Sequence, residues 1–269
     1  MDDRTKVAHE IASLYREHSQ VEAVALGGSL ASHAADGRSD IDLYVYLTEA
    51  LHPESRLAIA SPRATRVEVG NEFWEPGDEW IEQGTGVHVD VIYRLIGWAQ
   101  DQLERVLRRH EASVGYSTCI WHNLRSARVL FDRTGWLGDL QQAAGAPYPD
   151  ELVAAILAKN YPILRASASS YRAQIQSAIS REDPVSVNHR VAAVLASYFD
   201  ILFAVNRALH PGEKRLLGHA ARLCPRRPTR MTEQVRAVLR EAATGEDLLP
   251  ALDELIDGLD LLLEEMRCV

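Results

Sequence analysis

The sequence has few cysteines, and their spacing excludes two kinds of structure. Cys119, Cys224 and Cys268 lie far apart and form no Cys-x-x-Cys pair. Such spacing does not suit a thiolate zinc site or a disulfide framework. The ten histidines also lack the His-Glu-x-x-His arrangement of many zinc enzymes. The sequence therefore predicts neither a zinc centre nor a fold held by disulfides.

Long apolar runs and an excess of basic residues are missing as well. No stretch of about 18 apolar residues could span a bilayer, and residues 1–20 lack the apolar centre of a signal peptide. With 29 Lys and Arg against 38 Asp and Glu, the formal net charge is −9. A long nucleic acid requires a broad basic surface, which this charge disfavours. We expect a cytoplasmic protein whose partners include neither a membrane nor a long nucleic acid.

The composition is that of a globular protein, and the sequence pattern divides the chain into two parts. The 269 residues are 46% hydrophobic and 25% charged, which suits one large domain or two modest ones. Residues 143–150, AAGAPYPD, have the glycine and prolines of a linker. Short alternating runs precede this linker, and a helical period of 3.6 follows it. We therefore predict an α+β fold, with a mixed-sheet domain over residues 1–145 and an all-α helical bundle over residues 146–269.

Hydrophobic periodicity places the elements within these domains. Strands are predicted at residues 21–26, 40–47, 65–69, 87–93 and 127–131, the last at a sheet edge. Helices are predicted at residues 4–18, 96–110, 151–180 with a bend at Pro162, 185–209, 213–224, 230–243 and 246–267.

Three aspartates on the predicted strands have a pattern typical of a metal site. Asp40 and Asp42 are two residues apart on one strand, so their carboxylates project from the same face. Like charges at close range are costly without a cation between them. Asp90 lies among valines, where a carboxylate needs a partner. If the two strands are neighbours, the three carboxylates form one cluster suited to Mg²⁺, which binds through carboxylates and substrate phosphates.

The turn Gly27-Gly28-Ser29 follows an apolar strand and precedes a short helical stretch. Glycines allow a backbone to approach an anion closely, and a helix N-terminus offers unpaired N–H groups. Taken alone, this turn has two interpretations: a phosphate site or an ordinary Gly-Gly turn.

Two segments together resemble a known superfamily. The sequence GGSLASHAADGRSDIDLYVY followed by VHVDVIY is similar to the Gly-Ser, Asp-x-Asp and third-Asp signature of the polymerase-beta-like nucleotidyltransferases, over residues 20–95. Residues 198–220 resemble the helical domain of the small-molecule branch, the aminoglycoside and lincosamide nucleotidyltransferases. The resemblance implies that the mixed-sheet domain is a nucleotidyltransferase domain.

The resemblance also implies a role for individual residues. A nucleoside triphosphate, with ATP expected, would be bound by Gly28, Ser29, Ser39 and Lys214, although Lys214 is equally well explained as a solvated lysine. Asp40, Asp42 and Asp90 would be the catalytic carboxylates that bind Mg²⁺ or Mn²⁺. The general base is left open between Asp90 and a glutamate, Glu68 or Glu72, on the preceding segment.

Residues 68–82, EVGNEFWEPGDEWIE, contain six acidic residues and no basic one. With their interleaved aromatics they predict an acidic wall that attracts a cationic, sugar-like acceptor, with Glu72, Trp74 and Glu79 as candidate contacts. The alternative interpretation is a solvated acidic loop whose aromatics pack into the core.

The favoured function is therefore a metal-dependent transferase that moves a nucleoside monophosphate, with AMP expected, to a hydroxyl of a small molecule. An aminoglycoside-like or lincosamide-like antibiotic, and thus antibiotic resistance, fits this prediction. Two alternatives remain: an antitoxin-like nucleotidyltransferase that modifies a protein, and a nucleotide-binding module without turnover. A minimal antitoxin is expected to be a single domain, whereas this chain has a whole helical domain in addition. The sequence identifies neither the acceptor nor the oligomeric state.

Overall fold

The computed structural model describes residues 3–31, 39–73 and 75–267. The chain forms two compact units. The first contains Met1–Glu104 and Ile120–Ala146, and the second contains Arg105–Cys119 and Pro147–Val269. Among the described residues, no helix has both the length and the apolar character needed to cross a membrane.

The chain up to residue 146 combines helices with a six-stranded sheet. The described elements are, in chain order, α1 (Asp3–Arg16), β1 (Val21–Leu26), α2 (Gly28–Ala31), β2 (Ile41–Leu47), α3 (Pro53–Ala60), a short 3-10 helix (Ser61–Arg63), β3 (Ala64–Asn71), β4 (Gly77–Glu82), β5 (His88–Leu95), α4 (Ile96–Leu107), α5 (Cys119–Ser126), β6 (Arg128–Asp132) and α6 (Trp136–Ala143). The strand order is β3-β4-β5-β2-β1-β6. Only the β2–β5 pair is parallel among the described strands, so the sheet is mixed.

Strands β2 and β5 lie at the centre of the sheet and have two different faces. Residues Ile41, Leu43 and Val45 of β2 are fully buried, as are Val89 and Val91 of β5. This face packs with α1, whose apolar residues repeat at helical spacing. Because successive side chains of a strand point to opposite faces, the polar residues of β2 and β5 share the other face. The predicted alternation in these two strands is confirmed.

Strand β4 was not predicted, and it changes the interpretation of residues 68–82. These residues belong to a β-hairpin made by β3 and β4, not to a solvated loop. Trp80 is 1% exposed and packs in the core, and Asp78 beside it is fully buried. Gly70 N–H and Tyr93 Oη both donate hydrogen bonds to the Asp78 carboxylate, at 2.8 and 2.5 Å. Buried polar residues thus occupy core positions of β4 because they have partners.

The chain after residue 146 is helical. Its elements are α7 (Asp150–Arg165), α8 (Tyr171–Ser180), α9 (Pro184–Val205), α10 (Leu216–Leu223), α11 (Met231–Glu241) and α12 (Leu248–Arg267). The single helix predicted over residues 151–180 is wrong, because the break falls at residues 166–170 and not at Pro162. The Ser170 side chain accepts a hydrogen bond from Ala173 N–H and caps the new helix. The fold class is α+β, as predicted.

Helix α9 forms the centre of the helical unit. Its last nine residues, 197–205, are all buried. A helix that is buried on every side packs against neighbours all around its axis. The apolar residues of α8, α11 and α12 belong to the same core cluster.

Segment 105–119 is attached to this helical core by buried polar contacts. The Asp200 carboxylate of α9 accepts hydrogen bonds from Ser117 N–H at 2.9 Å and Ser117 Oγ at 2.7 Å. Asn160 of α7 accepts from Gly115 N–H at 2.9 Å and donates to the Ser113 carbonyl at 2.9 Å. Burial raises the pKa of Asp200 to about 6, although both bonds from Ser117 act in the opposite direction.

The two described cysteines, Cys119 and Cys224, are free thiols. Burial raises the pKa of Cys119 to about 12, and the same cause raises the pKa of Cys224 to about 12. A thiol in this state is a poor nucleophile and a poor metal ligand at neutral pH.

Candidate functional site

The candidate site is built on the polar face of the two central strands. Asp42 of β2 and Asp90 of β5 are direct partners in the parallel register. Asp40 comes immediately before β2 and is exposed. The strand neighbours that the sequence analysis required are therefore present, and they place Asp42 and Asp90 side by side.

The row of carboxylates continues across the sheet. Glu79 of β4 is the register partner of Asp90, and Glu68 of β3 is the register partner of Glu79. Asp42, Asp90, Glu79 and Glu68 thus occupy one line across four adjacent strands; we call this line the carboxylate row. A strand pairing of this kind holds opposite side chains within about 5 Å of each other at Cβ. The polar face of the sheet is therefore strongly negative at this level.

The turn after β1 lies directly against Asp42. Gly27 N–H donates to the Asp42 carbonyl at 2.8 Å. A Cβ on Gly28 would lie 1.8 Å from Asp42 Oδ2, and Gly28 has a φ of +58°. A Cβ on Gly27 would lie 2.5 Å from Tyr44 Cε2. Two glycines are required here because no side chain fits between the turn and the acidic strand.

The electrostatics of Asp90 reflect this crowding. Burial and the negative charge of Asp42 raise the pKa of Asp90 to about 6, and Glu79 and Asp40 contribute in the same direction. His88 acts against them. At Asp90, the repulsion from the neighbouring carboxylates thus outweighs the attraction of His88.

This donor set fits a divalent cation that also binds phosphates. Among the described residues, no group of three or more His, Cys, Asp and Glu side chains is arranged to hold a metal by itself. Mg²⁺ does not require such a cage, because it binds through one or two carboxylates together with water and phosphate oxygens. Asp42 and Asp90 supply such a pair beside a turn without side chains. Asp40 is close enough to affect the charge of Asp90.

A small cavity lies on the same sheet, next to the carboxylate row. It has a volume of about 140 Å³ and is lined by Arg66, Glu68, Glu79, Ile81 and His88, among others. Glu79 Oε2 lies 3.3 Å from His88 Nε2. Asn71 Nδ2 donates to Glu79 Oε1 at 3.4 Å. A small polar group bound in this cavity would thus be within reach of the carboxylates of Glu68 and Glu79 and of the Arg66 guanidinium.

The other predicted site residues lie in several different segments of the chain. Ser29 lies in α2 directly after Gly28, and Ser39 directly precedes Asp40. Glu72 is exposed between β3 and β4. Lys214 is exposed just before α10 in the second unit. Trp74 lies outside the described residues. The nucleotide-binding and acceptor-binding roles of these residues remain predictions.

One neighbour of the site, Arg94, was missed by the sequence analysis. Arg94 lies on the polar face of β5, with its guanidinium 4.3 Å from the ring centre of Tyr44. The Glu75 carboxylate accepts two hydrogen bonds from Arg94, at 2.8 and 2.7 Å. The spacing of Arg94 four residues after Asp90 was the available signal, since residues two and four apart on a strand share a face.

Two family models match parts of the chain. Residues 9–73 match the family model described as "Polymerase beta, Nucleotidyltransferase". The matched segment contains Gly28, Asp40 and Asp42 and ends before Asp90. Residues 117–216 match the model of a domain of unknown function, DUF4037. No curated protein matches the chain significantly.

Two solved structures are similar to most of the chain. The first is a nucleotidyltransferase-like protein from Exiguobacterium sibiricum, with 14% identity, a TM-score of 0.45 and coverage of 97% of this chain and 74% of that one. The second is the Thermotoga maritima CCA-adding enzyme in complex with tRNA, with 13% identity, a TM-score of 0.35 and coverage of 90% of this chain and 58% of that one. Both TM-scores are below 0.5, so neither similarity bears on the function.

The family match confirms the predicted resemblance to the polymerase-beta-like nucleotidyltransferases, whereas the small-molecule branch stays a prediction. The match also supports a function in nucleotidyl transfer. Residues 9–73 thus match a nucleotidyltransferase domain of the polymerase beta type.

Proposed function

We propose that the protein transfers a nucleoside monophosphate from a nucleoside triphosphate, with ATP as the expected donor, to a hydroxyl of a small molecule. The observation that carries this proposal is the register pair Asp42 and Asp90 beside the Gly27-Gly28 turn. A carboxylate pair next to bare backbone suits a metal-bound triphosphate, because the turn leaves room for phosphates where side chains would exclude them.

The chemistry assigns a role to each carboxylate. Asp42 and Asp90, with Asp40 beside them, would hold Mg²⁺ or Mn²⁺, which when bound neutralises the triphosphate. The acceptor oxygen forms a bond to the α-phosphorus while the bond to the bridging oxygen breaks and pyrophosphate leaves. A carboxylate of the row takes the proton of the hydroxyl. Asp90 and its register partner Glu79 are the candidates that we propose for this step.

The carboxylate row also supports a cationic acceptor. Glu79 and Glu68 extend the negative face beyond the metal pair and line a cavity with Arg66 and His88. An amine or guanidine group on the acceptor would be attracted to these carboxylates. Hydroxylated amines such as aminoglycoside-like antibiotics fit this chemistry, which supports the proposal of a role in antibiotic resistance.

A pyrophosphate-release screen tests the proposal. Each nucleoside triphosphate is combined with a panel of aminoglycosides, lincosamides and hydroxylated metabolites, with Mg²⁺ or with excess chelator. We expect release with at least one pair, dependent on the metal, and mass spectrometry should find the acceptor heavier by one nucleoside monophosphate.

Matched variants make the screen specific for the site. Asp42→Asn should abolish release, whereas Asp139→Asn, an exposed aspartate of α6, should not affect it. Metal-dependent binding of the triphosphate without release on any small molecule would favour the protein-modifying alternative. Binding that ignores the metal and tolerates Asp42→Asn would refute the site itself.

A further inference from the structure

The cavity beside the carboxylate row has a defined arrangement of charges. Ile81 of β4 lies in the middle, with Arg66 of β3 and His88 of β5 as its register partners on either side. Two positions along the strands, Glu68 and Glu79 form the adjacent level of the same face. All five residues line the cavity. The cavity therefore has an apolar centre, with two carboxylates at one level and a guanidinium and an imidazole at the next.

The charges of Arg66 and Glu68 are not balanced by other side chains. Both residues are exposed, and over the described part of the chain neither forms an ion pair or a side-chain hydrogen bond. The Glu79 carboxylate contacts His88 and Asn71 instead. The cavity thus keeps one guanidinium and one carboxylate available for a ligand.

The cavity also has a fixed position relative to the proposed metal pair. Glu79 is the register partner of Asp90, which is the register partner of Asp42. Neighbouring strands are about 4.8 Å apart, so the midpoint between Asp42 and Asp90 lies about 7 Å from β4 across the sheet. A molecule bound in the cavity therefore reaches the carboxylate pair with a group that lies about 7 Å from its bound end.

A ligand that uses both levels of the cavity needs groups of opposite charge. An ammonium group suits Glu68 and Glu79, whereas a carboxylate suits the Arg66 guanidinium, which can donate two parallel hydrogen bonds to it. The two levels are about 7 Å apart along the strands. An ammonium group and a carboxylate on the same carbon bridge this distance through one hydrogen bond at each end. A ligand with cationic groups alone would leave the charge of Arg66 unmatched.

We propose that the acceptor is a zwitterion, an amino acid-type molecule whose ammonium group binds Glu68 and Glu79 and whose carboxylate binds Arg66. Its hydroxyl lies about 7 Å from this head group, toward Asp90. The inference rests on the proposed function and narrows its acceptor, because aminoglycoside-like compounds carry cations without an anion. A water occupies roughly 30 Å³, so a cavity of about 140 Å³ has room for a head group of about five heavy atoms.

The first measurement compares three ligands that differ by one charge. L-tyrosine has both charges and a hydroxyl at about the required distance, tyrosinamide lacks the carboxylate, and N-acetyltyrosine lacks the ammonium group. Ligand-observed NMR gives their dissociation constants for the full chain with Mg²⁺. We expect L-tyrosine to bind at least about fivefold more tightly than either of the others, because each of them loses one charged contact.

Variants assign each charge to a residue. Arg66→Gln should weaken binding of L-tyrosine about fivefold and leave tyrosinamide unchanged, whereas Glu68→Gln should weaken L-tyrosine and leave N-acetyltyrosine unchanged. Both residues are exposed, so both variants should keep the wild-type melting temperature. Arg125→Gln and Glu17→Gln make the same charge changes at exposed positions of the first unit outside the cavity, and they should alter no dissociation constant.

Equal binding of the three ligands, no binding of L-tyrosine, or wild-type binding of L-tyrosine by Arg66→Gln would each overturn the proposal. The pyrophosphate-release screen separates these results from the proposed function. Release with a cationic compound whose KM is unaffected by Arg66→Gln would support the transferase and overturn the zwitterionic acceptor. Binding of L-tyrosine that depends on Arg66, without release on any compound, would support the zwitterion site while the proposed function fails.

Discussion

Replacing Gly28 with alanine should damage the carboxylate site far more than the fold. The new Cβ would lie 1.8 Å from Asp42 Oδ2 and 2.8 Å from its Cγ, and contacts of this kind below 3.0 Å are essentially never found. Asp42 is in a central strand, and its carbonyl accepts Gly27 N–H at 2.8 Å. The backbone is therefore fixed, and the carboxylate itself must move by more than about 1 Å to make room, a distance that can cost about 100-fold in rate.

The effect on stability can be separated from this clash. A non-glycine residue with a positive φ costs roughly 1–2 kcal/mol, which is offset by about 0.4–1 kcal/mol from a less flexible unfolded chain. Gly86 in the β4–β5 turn has a φ of +69°, and an alanine Cβ at this position would meet nothing within 4 Å, so Gly86→Ala reports the backbone cost alone. We expect a loss of about 1 kcal/mol from Gly86→Ala, and a somewhat larger loss from Gly28→Ala.

Urea unfolding and metal-dependent pyrophosphate release measure the two effects on the same samples. Gly28→Ala should reduce kcat/KM by about 100-fold or more, because the carboxylate is displaced. Gly86→Ala should keep the wild-type rate at a similar loss of stability. If Gly28→Ala remains within about threefold of wild type, the Gly28–Asp42 contact has no catalytic importance and the reasoning is wrong.

Three further outcomes are expected. Asp42→Asn should abolish transfer. In the absence of metal it should also raise the melting temperature, because one of the charges that raise the pKa of Asp90 is removed. Calorimetry measures this shift, and a lower melting temperature would contradict the prediction. Between about pH 4 and pH 6 the folded chain keeps a proton on Asp200 that the unfolded chain has lost, so Asp200 alone should lower the free energy of unfolding by about 3 kcal/mol as pH rises, in addition to the contribution of Asp90. Urea titrations should find this slope weakened in Asp200→Asn, and an equal slope would refute the raised pKa. Replacing Glu68 and Glu79 together by Gln should weaken binding of a cationic acceptor and flatten its salt dependence, whereas wild-type behaviour in calorimetry at several salt concentrations would favour a neutral acceptor.

The strands that carry the site were predictable because their alternation is undisturbed. Ile41, Leu43 and Val45 face the core, and Asp42 and Tyr44 lie between them on the other face. In β4 the same period is hidden, since Asp78 and Glu82 occupy core positions and Ile81 lies on the polar face. Such a strand can be recognised only when the partners of its buried carboxylates are known.

Contacts between distant residues could not be predicted from one sequence. The ion pair of Arg94 with Glu75 joins β5 to a residue outside the strands, 19 positions earlier in the chain, and no local pattern encodes that contact. The attachment of Ser117 to Asp200 joins residues 83 positions apart. Local periodicity predicts elements, whereas these pairs depend on the tertiary arrangement.

The attachment of segment 105–119 to the helical unit has a consequence for biosynthesis. The chain passes between its two units three times, at residues 104–105, 119–120 and 146–147. Segment 105–119 finds its hydrogen-bond acceptors on Asn160 and Asp200, which leave the ribosome only after the whole of the first unit has been made. Segment 105–119, which lies between the two parts of the first unit in the sequence, therefore cannot form these hydrogen bonds until α7 and α9 have been synthesised. Folding of the two units is coupled in time, and no single cut in the chain releases either unit complete.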